Sequence, residues 1–206
     1  MFGWAGSADD RHGVGQTGLM GDVRVAGPAG WCAVDSVAPG DLVLTFDAGM
    51  QPVAAVLKEA AWTGGGQCPT ALWPIEVPPG ALGNRELLRL AADQAILIES
   101  DEAEALTGDP FALVSARSLA GVRGIDRAPL GEGAQIVTLT FAVEQVIFAA
   151  GGAMLHCPAD MRDLTELAGK APRYSLLDGQ DARRAAACLD AGALQARSAG
   201  LPGIRS

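Results

Sequence analysis

Between residues 23 and 57 every apolar run is cut short by a turn that carries Gly or Pro, and this punctuation constrains the fold more than any other feature of the chain. Val23-Arg24-Val25-Ala26 alternates as a short strand, Gly27-Pro28-Ala29-Gly30 turns, and Trp31-Cys32-Ala33-Val34 resumes extended chain. Pro39-Gly40-Asp41 turns into residues 42–46, and Asp47-Ala48-Gly49 turns into a strand over residues 51–57. Short strands at close, regular spacing point to an all-β body. With 27 Gly and 12 Pro in 206 residues, a helix-only architecture is excluded.

The same reading continues along the chain. Residues 63–70 form a flexible loop, and Trp73-Pro74-Ile75-Glu76-Val77 reads as a strand with an edge-type proline. Residues 78–83 make a tight connection. Residues 87–90 and 95–99 are expected to pair with each other around Ala92-Asp93-Gln94. One helical turn is expected over residues 102–106, and a short helix at 116–119 after a strand at 111–115. Residues 135–150 are the strongest strand region, with Val137, Leu139, Phe141 and Val143 on one face. After Pro158 the texture changes. Residues 160–167 have helical spacing, and residues 181–198 are rich in Ala and Arg with an apolar stripe at Ala185, Cys188, Leu189 and Leu194. The expected organisation is a flexible arm over residues 1–17, an all-β body over 18–158 and a helical extension over 159–206 that docks on the body.

Composition narrows the function. At 49% hydrophobic and 19% charged residues the chain is not globally disordered. The net charge is −9, and Lys58 and Lys170 are the only lysines, so no basic cluster is present to bind nucleic acid. The longest apolar stretch, residues 143–155, is broken by Glu144, Gln145 and a Gly pair, which rules out a membrane helix. The N-terminus has neither a basic nor an apolar leader region, so a cytoplasmic location is the default expectation. Cys32, Cys68, Cys157 and Cys188 show no CxxC spacing. They are expected to be buried free thiols rather than a zinc set or a disulfide framework.

Gly30-Trp31, Val34, Pro39-Gly40-Asp41, Val43-Leu44-Thr45, Asp47, Gly49 and Gln51-Pro52-Val53, taken as a set, resemble the opening of a Hint domain, the Hedgehog/intein self-processing fold. Residues 80–83, 87–98 and 137–151 resemble the second half of its bacterial branch. The resemblance implies an all-β horseshoe of short strands followed here by a helical extension. It also implies a chemistry: a Cys, Ser or Thr at the first residue attacks the preceding carbonyl, and a mid-domain His protonates the leaving amide nitrogen. Intein-type members end in His-Asn. Carried over by position, the nucleophile falls at Gly18, with Thr17 the nearest hydroxyl, and the mid-domain His falls at Gln94 within Ala91-Ala92-Asp93-Gln94-Ala95-Ile96-Leu97-Ile98. A second His falls at Glu144, in Glu144-Gln145-Val146-Ile147-Phe148-Ala149-Ala150-Gly151, and His156 is followed by Cys157 rather than Asn. Glutamine donates a hydrogen bond but delivers no proton at neutral pH. The resemblance therefore implies a framework kept and a chemistry lost.

His156-Cys157 is the one adjacent His/Cys pair, but neighbours on a strand point to opposite faces. With His12 the only other histidine, a metal set is not expected there. Asp9-Asp10 and Asp101-Glu102-Glu104 read as solvated acidic faces, with weak Ca²⁺ binding the alternative. Gly64-Gly65-Gly66 lacks the Lys-Ser/Thr of a phosphate loop. Arg183-Arg184 reads as a solvated helix face, and Trp31, Trp62 and Trp73 as core or turn cover. No cofactor is implied. Three function classes stand: an interaction module whose partner is another protein, an autoprocessing enzyme using Thr17 or Cys157, and a Cys157-dependent hydrolase.

Overall fold

The computed structural model describes residues 16–160 and 173–198, with side chains as far as Leu189. In chain order the strands are β1 (Leu19–Met20), β2 (Arg24–Gly27), β3 (Gly30–Ala33), β4 (Leu42–Thr45), β5 (Gly49–Pro52), β6 (Ala55–Ala60), β7 (Ile75–Val77), β8 (Leu88–Leu90), β9 (Ala95–Glu99), β10 (Phe111–Ser115), β11 (Asp126–Arg127), β12 (Gln135–Thr140), β13 (Gln145–Ala149), β14 (Ala153–Cys157) and β15 (Leu176–Leu177). The helices are α1 (Asp101–Thr107) and α2 (Gly179–Ser198). The body is all-β with a helix at its C-terminal end. Six strands form one sheet in the order β11-β7-β8-β1-β12-β6. The other sheet runs β15-β10-β9-β14-β13-β2-β3, with the β4–β5 hairpin attached to β13.

Turn chemistry sets the hairpins. β2 and β3 pair from Arg24 opposite Ala33 to Gly27 opposite Gly30, closed by Pro28-Ala29. In the β4–β5 hairpin Thr45 Oγ1 accepts from the Ala48 N–H (3.2 Å) and donates to the Gly49 carbonyl (2.8 Å). Gly49 sits at φ 67°, where a side chain would be strained. Ser100 caps α1 by accepting from the Glu102 N–H, and Gly108 closes it in the left-handed region. Asp101, Glu102 and Glu104 therefore lie in the first turn of a helix, where the dipole favours carboxylates.

Three expected continuities are broken, all at crossings between the sheets. Residues 51–57 form two strands, because the Val53 N–H bonds Asp41 O at 2.9 Å while the Ala54 N–H bonds Thr140 O at 2.8 Å. Residues 135–150 likewise divide into β12 and β13. At the division Phe141 bridges to Ala159 and leaves the first sheet, and Val143 is 40% exposed rather than on the buried face of Val137, Leu139 and Phe141. Residues 87–90 and 95–99 do not pair with each other. β8 joins β7 and β1, whereas β9 joins β10 and β14. Local alternation reports that a segment is extended but not which distant strand satisfies its backbone.

One apolar core unites the inner faces of both sheets, including Leu19, Ile75, Leu90, Ile96, Leu139, Phe141, Ile147 and Leu155. α2 closes it with Ala182, Ala185 and Ala186, and Leu189 packs at its margin. A smaller cluster of Leu97, Leu113, Val146 and Tyr174 is separate from this core. The extension also supplies β15, which runs parallel to β10. Of the four cysteines, all free, only Cys157 is buried; the other three are partly exposed, correcting the expectation that all are buried. Residues 161–167 of the expected helix, the acidic pair Asp9-Asp10, His12 and the side chain of Leu194 lie outside what is described. No helix among the described residues is long and apolar enough to cross a membrane.

Candidate functional site

The crossing between β8 and β9 opens onto a cavity. This cavity, of about 230 Å³, opens where the chain enters β1, where it enters β9 and where β14 ends. Thr17, Gly18, Gln94, His156 and Cys157 all line it, so residues up to 140 positions apart in sequence are brought together there.

Gly18 occupies the position of the expected nucleophile with φ 131°, a conformation side chains avoid. A Cβ placed there would lie 2.5 Å from Ile136 Cγ2 and 2.9 Å from both Thr138 Oγ1 and Val137 O. The position thus lacks a nucleophile and also lacks room for one. Its backbone is held on both sides: the Ala91 N–H bonds Gly18 O at 3.0 Å, and Thr138 Oγ1 donates to Thr17 O at 3.0 Å. Gln16 reaches Ala61 O through Nε2 at 3.1 Å. Sequence reading found Gly18 but missed Ile136 and Thr138, which close its volume. Their only signal was alternation in a strand whose partner was unknown.

Gln94 is 4% exposed. Its Nε2 donates to His156 O at 2.7 Å and to Ala95 O at 2.9 Å, which uses both amide protons. Its backbone is equally committed, since the Ala116 N–H bonds Gln94 O at 2.8 Å. The neighbouring Asp93 is paired with Arg117 at 2.8 Å. Gln94 acts here as a clamp between β9 and β14.

His156 and Cys157 project to opposite faces of β14, as expected of adjacent strand residues. His156 Nε2 meets Glu144 Oε2 at 3.2 Å, and Glu144 Oε1 accepts from the Arg173 N–H at 2.5 Å. Cys157 joins the core, and burial pushes its thiol up from 9.0 to about 12. A thiol held so far above neutrality is protonated and a poor nucleophile. Gln145 lies opposite Cys157 in register, buried, with Oε1 lacking a hydrogen-bond partner among the described residues. The second expected His falls one residue earlier, at Glu144, whose carboxylate instead meets the His156 ring.

A larger cavity of about 420 Å³, lined by Asp22, Asp35 and Arg89, contains none of the candidates. Arg89 is already engaged there by Glu76 at 3.0 Å. Among the described residues no group of three or more His, Cys, Asp or Glu could hold a metal ion. Trp73 covers the 63–70 loop, donating from Nε1 to Cys68 O at 3.2 Å, while Trp31 stays exposed.

The model of the Hint domain family matches residues 17–154, which takes in β1 to β13 and ends within β14, short of His156 and Cys157. Three solved structures resemble the chain. The solution structure of a bacterial intein-like domain from Clostridium thermocellum is 9% identical, covers 68% of this chain and 98% of its own, and gives a TM-score of 0.47. A splice-inactive variant of the AceL NrdHF class 3 split intein is 12% identical over 71% of this chain and 100% of its own, TM-score 0.47. The gp41-1 intein is 12% identical over 68% and 98%, TM-score 0.44. No curated protein matches the chain.

Proposed function

The chain belongs to the Hint domain family, and from that premise we propose that it is a non-cutting relative of the self-processing domains, serving as a structural or interaction module for another protein. One observation carries the reading. At the cavity where the family's chemistry would sit, the nucleophile position is Gly18 with its Cβ volume filled, and the proton-donor position is Gln94 with both amide protons committed to carbonyls. Loss of a positioned acid costs roughly 10²–10⁴ in rate, and loss of the nucleophile removes the path altogether. Cys157 does not replace it, because its thiol is buried and protonated. In this reading residues 18–158 are the body, residues 1–17 an arm and residues 159–206 an appended segment. The Gly- and Pro-bearing loops and α2 supply the contact surface.

Intact-mass spectrometry of the purified chain, with and without hydroxylamine or dithiothreitol, tests the proposal. A single stable mass is expected under all three conditions. A fragment cut before Thr17 or near Cys157 would restore the autoprocessing reading.

A further inference from the structure

The segment Arg173 to Leu177 follows the family match and lies against β10 and against β9, the strand that begins at the cavity. The Arg173 N–H bonds Glu144 Oε1 at 2.5 Å, and its guanidinium reaches Asp47 at 3.2 Å. Tyr174 OH donates to the same Asp47 oxygen at 2.6 Å, and its ring packs in a cluster with Leu97, Leu113 and Val146. Burial first, then the bond and charge of Asp47, push the Tyr174 hydroxyl up to about 12. Leu176 and Leu177 then pair with β10. Glu144 is shared: its other oxygen holds the His156 ring, and the carbonyl of that same His156 receives the Gln94 amide. One residue therefore faces the strap through its side chain and the cavity through its backbone.

We infer that residues 173–177 are a latch that fixes the cavity from outside, with Glu144 and His156 as positioning residues between the strap and Gln94. This rests on the reading that the cavity is the domain's site, and it gives the appended segment a definite role there. Releasing the strap frees His156, and the Gln94 clamp loosens with it.

Hydrogen exchange on the full chain, read by peptide mass spectrometry, tests the latch. In Glu144→Gln and in Asp47→Asn, exchange of peptides covering residues 91–96 is expected to rise about tenfold, the scale of losing one charge-assisted hydrogen bond. The double variant is expected to add little, because both changes open the same latch. Tyr174→Phe keeps the ring packing and removes only the bond to Asp47. It is expected to raise exchange at the same peptides by a smaller factor, and it decides the matter if the charge variants lose protection everywhere. A rise confined to residues 173–177, with residues 91–96 unchanged in Tyr174→Phe and both single variants, would overturn the latch. The intact masses of the same samples report cutting independently, so the failure of one reading is distinguishable from failure of the other.

Discussion

Two buried carboxamides do nearly the same work in two places. Asn84, 2% exposed, organises the loop between β7 and β8: Nδ2 donates to Val77 O, Pro78 O and Glu86 O at 3.3, 3.0 and 2.8 Å, while Oδ1 accepts from the Leu82 N–H at 2.9 Å. Gln94 clamps two carbonyls beside the cavity. One region lies away from the cavity, and the other lines it. Their common bonding pattern teaches that Gln94 works as a structural fastener; in the proposed reading it is a fastener placed where an acid would act. What still separates the two regions is a void and a buried thiol, both at Gln94.

The thiol gives the widest separation. The folded Cys157 ionises near 12 and the unfolded thiol near 9.0, so below pH 9 its burial contribution is fully present. As pH rises from about 9 the unfolded state ionises first, and stability falls by up to about 1.4 kcal/mol per pH unit until the folded thiol ionises. Urea melts of the chain and of Cys157→Ala across this window are expected to diverge in slope; parallel slopes would refute the burial effect. Asn84→Ala is expected to cost about 3 kcal/mol, since it strands several polar groups in a packed loop. Gln94→Ala is expected to cost about 2 kcal/mol, with two carbonyls released, one beside a cavity that can admit water. Equal losses in the two alanine variants would erase the distinction between a sealed loop and a site with remaining space. Gln94→His supplies an acid without a nucleophile, and its intact mass is expected to stay that of the full chain. The smallest effect lies at Ala150, a buried residue at φ 48° whose carbonyl receives the Arg85 N–H at 2.6 Å. Ala150→Gly is expected to stabilise by about 1 kcal/mol in the same melts by relieving left-handed backbone strain.

Much of the fold was legible because turns are local. Pro28-Ala29, Pro39-Gly40-Asp41 and Asp47-Ala48-Gly49 each close where their Gly and Pro content says they should. The 116–119 turn and the C-terminal helix were equally readable, although the expected single turn over residues 102–106 is longer, as α1. Asn84 was passed over, because a carboxamide in a Pro- and Gly-rich loop has no pattern that tells a surface residue from a buried organiser. Glu144 and Arg173 were passed over as partners because they lie 29 residues apart and meet only when the strap folds back.

Composition, turn chemistry and the identity of single residues were determined by the sequence alone: an all-β chain with no nucleophile at Gly18 and no imidazole at position 94. These are properties of residue types and near neighbours, which no packing can change. Tertiary structure decided that Gly18, Gln94, His156 and Cys157 share one cavity, that Ile136 and Thr138 occupy the space a side chain at position 18 would need, and that strands adjacent in sequence belong to different sheets. Those facts depend on contacts between residues far apart in sequence, such as the bond from Thr138 to Thr17 across 121 positions. The free energy that selects such contacts comes from burying both sheets against one core, which no local window of the sequence contains.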